Sequence, residues 1–226
     1  EGMKVDELEV LLGELAREGR RPKFIYTVPN FQNPAGVTLS LERRKRLVSL
    51  AREQELLIVE DNPYGLLRFE GKELPPLYRL DGGDYVLYVG TFSKILSPGL
   101  RLGWCVTPPP VTEKVVLGKQ ASDLCTSTLT QFFTREWFSA ERWEEYVGEV
   151  REIYRGRRDA MLEALDRFFP EQATWTEPAG GLFVWATLPD YLNTTDLLAK
   201  ALGRNVAFVP GEAAYVVGAE HVTKDD

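Results

Sequence analysis

Seven polar residues in three short stretches could do chemistry together: Asn33 in "NFQNPAG", Asp61 and Tyr64 in "VEDNPYG", and Thr91, Ser93, Lys94 and Arg101 in "GTFSKILSPGLRLGW". Each stretch follows an apolar run that reads as a strand, so its polar residues fall just past a carboxyl end, where ligands sit in open α/β sheets. Lys94, behind "YVLYVG" and near Arg101, is expected to have its ammonium form disfavoured by desolvation and by like charge. Its amine is then available as a nucleophile toward a carbonyl, as Schiff-base chemistry requires. A loop lysine reaching to solvent is the plainer alternative.

Asp61 closes "LLIVED", where a carboxylate is unfavourable unless it meets a cation, since an unpaired buried charge costs about 3–5 kcal/mol. A protonated pyridine nitrogen would be such a cation; a cap on the turn "DNPYG" is the alternative. Asn33 heads "NPAG", whose Pro and Gly positions suit a type I turn that would fix the Asn amide toward a ligand oxygen. Tyr64, three residues beyond Asp61, could reach the same oxygen with its hydroxyl. The Thr91 and Ser93 hydroxyls with the Arg101 guanidinium make a phosphate grip, because arginine binds phosphate bidentately. An ordinary turn asparagine, a partly buried tyrosine and an ion-paired arginine are the alternatives at these positions.

The elements that must position these residues alternate. "VDELEVLLGELAREG" repeats Leu8, Leu11, Leu12, Leu15 and Ala16 at helical spacing, with Asp6 as N-cap and Gly19 as the stop. "KFIYTVP" reads as a strand. Ser40 caps a second helix, "LERRKRLVSLAREQE", with Leu41, Leu47, Val48 and Ala51 on its apolar side and its basic cluster read as a solvated face. "LLIVED" and "YVLYVGTF" are continuous apolar runs, as expected of strands buried on both faces in a parallel sheet, and "RLGWCVT" adds a further strand. Strand, helix, strand at this spacing implies an α/β sheet covered by helices. From Glu141 to Phe169 runs one long helical pattern, with Trp143, Tyr146, Val147, Val150, Tyr154, Met161 and Leu165 on a stripe and Pro170 ending it. "GGLFVWATLP", the helix "NTTDLLAKALG" and a strand "VAFVPG" then form a small α+β unit.

With 226 residues and 44% hydrophobic content, the chain can bury a substantial core in one large domain or two modest ones. A net charge of −7 argues against nucleic acid as a partner, which needs a basic face. Cys105, Cys125 and the single His221 have no metal-ligand spacing, so no metal is expected, and the two thiols read as reduced in a cytoplasmic protein. No apolar stretch approaches the ~18 residues of a membrane span, and no signal-peptide pattern opens the chain. The first residue is Glu1, already inside an amphipathic pattern, which suggests a partial chain.

The order "PNFQNPAGVTLSLERR", "VEDNPYG", "GTFSKILSPGLRLGW", "GGLFVW" and "VPGEAAY" resembles fold type I pyridoxal-phosphate aminotransferases of class I/II over nearly the whole chain. It is similar above all to the 2-aminoadipate and aromatic aminotransferase group, with the aminotransferase-like domain of MocR-type regulators close behind. The resemblance implies a mostly parallel, helix-covered sheet and a small C-terminal α+β domain. Residues 1–144 would be part of the large cofactor-binding domain and 145–226 part of the small one, entered by the long interdomain helix. It implies pyridoxal 5'-phosphate held by Lys94 as an internal aldimine, with the released lysine carrying a proton. Asp61 would pair with the pyridine nitrogen, Asn33 and Tyr64 with the ring oxygen, and Thr91, Ser93 and Arg101 with the phosphate.

The implied activity is transfer of an amino group between an L-amino acid and a 2-oxo acid, in a cytoplasmic homodimer whose active site lies at the dimer interface. A cofactor-sensing domain of a regulator, or a lyase or decarboxylase on the same fold, are the alternatives; Asn33 favours the enzyme over the regulator. The family's glycine-containing phosphate loop and ring-stacking aromatic have no counterpart here. Nor does its arginine for the substrate carboxylate, since the sequence ends "VVGAEHVTKDD". "GGLFVW" lines the pocket or, more plainly, forms strand core.

Overall fold

A computed structural model describes residues 2–140 and 142–215; His221 and the tail "VVGAEHVTKDD" lie outside the described residues. Strands β1 (Phe24–Thr27), β2 (Leu57–Asp61) and β3 (Val86–Thr91) run parallel in that order, and β4 (Gly103–Val106) returns antiparallel beside β3. Helices α1 (Val5–Arg17), α2 (Leu41–Glu53) and the short α3 (Leu77–Asp81) cover one face. Val5, Leu12, Leu47, Leu50 and Ala51 from the helices pack there with Ile25, Ile58 and Val86 from the strands.

Local chemistry sets the helix ends. The Ser40 hydroxyl accepts the Arg43 N–H and opens α2, as expected of an N-cap. In α1 the cap is Lys4 rather than Asp6, with no side-chain cap bond; Asp6 sits in the first turn, where its charge meets the positive end of the helix dipole. Gly19 follows the end of α1 at φ +71°.

The expectation of strands buried on both faces is not met among the described residues. Burial alternates along β1 and β2: Ile25, Thr27, Ile58 and Glu60 point into the helix-covered core, while Phe24 and Tyr26 on the opposite face are 52% and 54% exposed. A continuous apolar run gives both faces apolar side chains but does not say what covers the second. Asp61 belongs to that more open face, because alternation puts it with Val59 and Leu57 rather than with Glu60. The basic cluster of α2 is likewise not wholly solvated, since Arg44 is completely buried.

Beyond β4 the chain forms α4 (Pro109–Asp123), α5 (Thr128–Ser139) and the long α6 (Trp143–Phe168). Val147 of α6 is buried against Leu67 and Ile95, with Trp143, Val150 and Tyr154 packed around them. Arginines at roughly helical spacing fasten α6 to the loop after β2. Arg151 Nε donates to the Leu66 carbonyl at 2.6 Å and Arg155 to that of Phe69 at 2.7 Å. Tyr146 and Met161, expected on the buried stripe, are exposed. A two-stranded ribbon, β5 (Thr174–Trp175) with β6 (Ala186–Thr187), and α7 (Thr194–Leu202) follow. "VAFVPG" forms no strand: no described strand pairs with it, and Val206 and Val209 are exposed. Apolar content alone does not supply a strand's hydrogen-bonding partner. Among the described residues no helix is long and apolar enough to cross a membrane.

Candidate active site

The carboxyl ends of β1 and β2 border a cavity of about 560 Å³ lined by Asn33, Asp61 and Tyr64, with Tyr26, Gln32 and Pro63 among their neighbours. Asp61 reaches it as the last residue of β2, and its Oδ2 accepts the Tyr26 hydroxyl at 2.7 Å. Its Oδ1 accepts no hydrogen bond among the described residues. Burial, followed by this bond to a carboxylate, pushes the Tyr26 phenol up to about 12. Tyr64 is only 6% exposed, its ring edge-on to Phe183 at 5.7 Å, and its phenol is pushed up by burial and then by the Asp61 charge.

Asn33 does not head the type I turn expected: the loop closes over five residues, from Gln32 to Gly36, rather than four. The Asn33–Pro34 peptide is cis, the Gly36 N–H donates to the Gln32 carbonyl at 2.6 Å, and the Gln32 N–H donates to Val37 at 2.9 Å. Gly36 has φ +70°, and a Cβ there would lie 2.6 Å from the Phe183 carbonyl oxygen, so only glycine fits. "GGLF" therefore packs directly onto this loop instead of forming strand. Gly181, at φ +77°, meets Phe31 so closely that a Cβ would stand 2.4 Å from the Phe31 Cβ.

A buried polar network fixes the two loops relative to each other. Arg44 donates to the carbonyls of Leu39, Pro29 and Pro75 and, at 2.7 Å, to Asn30 Oδ1. The Asn30 amide donates to Asn62 Oδ1 at 2.9 Å, and the Asn62 amide to the Tyr88 hydroxyl at 3.0 Å. Glu60, fully buried beside them, accepts the Leu77 and Tyr78 N–H groups at the start of α3. Burial pushes the Arg44 guanidinium down, opposed by the Glu60 charge, and pushes Glu60 up, opposed by its two N–H donors and by Arg44. Tyr26, Asn30, Arg44, Glu60 and Asn62 were not singled out from the sequence. Nothing local in "FIYT" marks Tyr26, because alternation puts Phe24 and Tyr26 on one face and only the pairing of Tyr26 with Val59 shows that Asp61 shares it.

The remaining expected residues lie on the neighbouring strand end. β3 runs beside β2 with Val89 opposite Asp61, so the turn after Thr91 adjoins the Asp61 loop. The Thr91 hydroxyl donates to Ser93 Oγ at 3.0 Å and accepts the Ser93 N–H at 3.1 Å, which brings both hydroxyls into one tight turn. Arg101 is exposed at φ +51°, its guanidinium donating to the Pro98 carbonyl at 3.4 Å among the described residues. Thr91, Ser93, Lys94 and Arg101 do not line the cavity that Asn33, Asp61 and Tyr64 share. Lys94 is exposed, so the described residues do not supply the desolvation expected at the end of β3. Its strand ends at Thr91, and two more residues carry the lysine out of the sheet.

The family model described as aminotransferase class I and II matches residues 1–223. This chain belongs to that family. It is 48% identical over 215 residues to the aromatic-amino-acid aminotransferase 1 of Thermococcus litoralis, covering 95% of this chain and 52% of that protein. It is 42% identical to the 2-aminoadipate transaminase of Thermus thermophilus, with 96% and 54% covered. Its fold superposes with a TM-score of 0.92 on the crystal structure of the Pyrococcus horikoshii kynurenine aminotransferase in complex with PMP, at 48% identity, over 95% of this chain and 53% of that one. The fold is therefore that of the fold type I enzymes. The chain spans about half the length of the curated relatives it matches.

Proposed function

We propose that this chain is the cofactor-binding part of a pyridoxal-phosphate-dependent aminotransferase moving an amino group between an L-amino acid and a 2-oxo acid. The observation that carries the reading is the shared cavity of Asn33, Asp61 and Tyr64, with the Thr91–Ser93–Lys94 turn on the adjacent strand end. These residues fit the group chemically: a carboxylate with one oxygen unclaimed and two neutral donors line one cavity, and on the adjacent strand end two hydroxyls share a tight turn that an amine and a guanidinium follow in the chain. A cavity of about 560 Å³ also admits a flat heterocycle.

When bound, the cofactor supplies an electron-withdrawing ring that stabilises negative charge at the substrate carbon. The chain's own residues do the rest. Asp61 offers a fixed negative charge to a ring nitrogen, while the Asn33 amide and Tyr64 hydroxyl donate to a ring oxygen. Thr91, Ser93 and Arg101 anchor a phosphate through hydroxyl donors and a bidentate cation. The Lys94 amine is the covalent attachment point and the base that moves a proton at the substrate carbon.

The same reading divides the chain at residues 144 and 145 into parts of a large and a small domain; that division falls in the first turn of α6. It extends to a cytoplasmic homodimer with small-molecule substrates, which size-exclusion chromatography and cell fractionation test. Asn33 at the cavity favours the enzyme over a regulator's sensing domain. The decisive experiment loads the protein with pyridoxal 5'-phosphate, reduces it with borohydride and maps the added mass, expected on the Lys94 peptide. It then assays a panel of L-amino acids with 2-oxoglutarate. A Lys94→Ala protein that transaminates at the parent rate refutes the assignment.

A further inference from the structure

We propose that Tyr26 is a positioning residue for Asp61, holding its carboxylate so that one oxygen stays committed to the protein and the other to a cationic ring nitrogen. The inference deepens the cofactor reading above and rests on it. In the parallel register Tyr26 stands opposite Val59, which places Asp61 two residues further along the neighbouring strand on the same face. Such diagonal neighbours lie about 7–8 Å apart at the backbone, a gap that an aromatic side chain spans. Tyr26 spans it, and its hydroxyl meets Asp61 Oδ2 at 2.7 Å, a charge-assisted geometry. A carboxylate ending a strand can turn about its last side-chain torsion. The phenol removes that freedom from a rigid neighbouring strand rather than from a loop. With Oδ2 taken, Oδ1 is the oxygen left for a ligand in the cavity that both residues line. The phenol's raised pKa keeps it a donor, so the bond persists throughout the neutral range.

The test is a double-mutant cycle read by cofactor binding and spectrum. Parent, Tyr26→Phe, Asp61→Asn and the double variant are titrated with pyridoxal 5'-phosphate, following the visible absorbance and the dissociation constant. Loss of one hydrogen bond to a charged group corresponds to roughly 10-fold weaker binding in Tyr26→Phe. A shifted absorbance maximum is expected with it, because the ring's protonation depends on how Asp61 is held. In the Asp61→Asn background the same Tyr26 change should alter binding by less than about twofold, since Tyr26 acts through the carboxylate. A Tyr26→Phe effect of equal size in both backgrounds, or none in either, overturns the inference while leaving the cofactor reading intact. A parent that shows no cofactor band or saturable uptake overturns both.

Discussion

Replacing Arg44 with methionine keeps most of the side chain's volume and removes its donors. In the structure the guanidinium is fully buried and serves four acceptors: the carbonyls of Leu39, Pro29 and Pro75 and the Asn30 amide oxygen. Hydrogen bonds to a charged group contribute about 1.5–3 kcal/mol each, but four made by one planar group are not additive. Removing one partner of a buried charged network typically costs about 3–5 kcal/mol, and that is the expected loss here. Glu60 adds to it, because its buried charge loses the cation that opposes its desolvation. For a domain with a total stability of roughly 5–15 kcal/mol the change is large. Urea unfolding followed by far-ultraviolet dichroism should show a much lower midpoint with an unchanged slope. Arg44→Lys should recover less than half of the loss, since an ammonium cannot reach acceptors spread around a planar fork. A methionine variant within about 1 kcal/mol of the parent would mean that the acceptors are satisfied otherwise and that Arg44 does not hold the two loops together.

Gly181→Ala should destabilise by more than about 1–2 kcal/mol, because a positive φ is unfavourable for alanine and its methyl would strike Phe31. An unchanged thermal midpoint would contradict the close packing of "GGLF" on the Asn33 loop. Tyr26 gives a pH dependence with a definite sign: its folded pKa of about 12 is raised above the usual tyrosine value, so its stabilising contribution is complete in the neutral range and declines as pH rises through the folded value. The stability difference between parent and Tyr26→Phe should therefore be flat from about pH 6 to 9 and shrink above about pH 10, as read from urea midpoints. A difference that already vanishes near neutrality contradicts the bond.

The strands of the sheet were legible because each carries an apolar run and ends in a polar turn, and the Ser40 cap and the long helix before Pro170 follow from equally local rules. The strand order and the antiparallel return of β4 were not legible, because pairing joins residues far apart in the chain. What escaped depends on neighbours distant in sequence. Arg44 sits in a run of basic residues whose other members are solvated to varying degrees, and nothing local separates it from them. Carbonyls 15 and 31 residues away make its burial possible. The close approach of Gly180 and Gly181 to Phe31, and of Gly36 to the Phe183 carbonyl, likewise joins segments about 150 residues apart, which the turn sequence does not announce. "VAFVPG" failed as a strand for the converse reason: its local pattern is right, and no described strand pairs with it.

Asp61 shows how the two kinds of information combine. The sequence says that a carboxylate closes a strand, and only the register says that Tyr26, rather than Thr27, shares its face. Once that face is assigned, a tyrosine that looked like strand filler becomes the group that decides which carboxylate oxygen remains for a ligand. Residue type supplies the chemistry at a strand end, but the pairing partner one strand away determines how that chemistry is aimed.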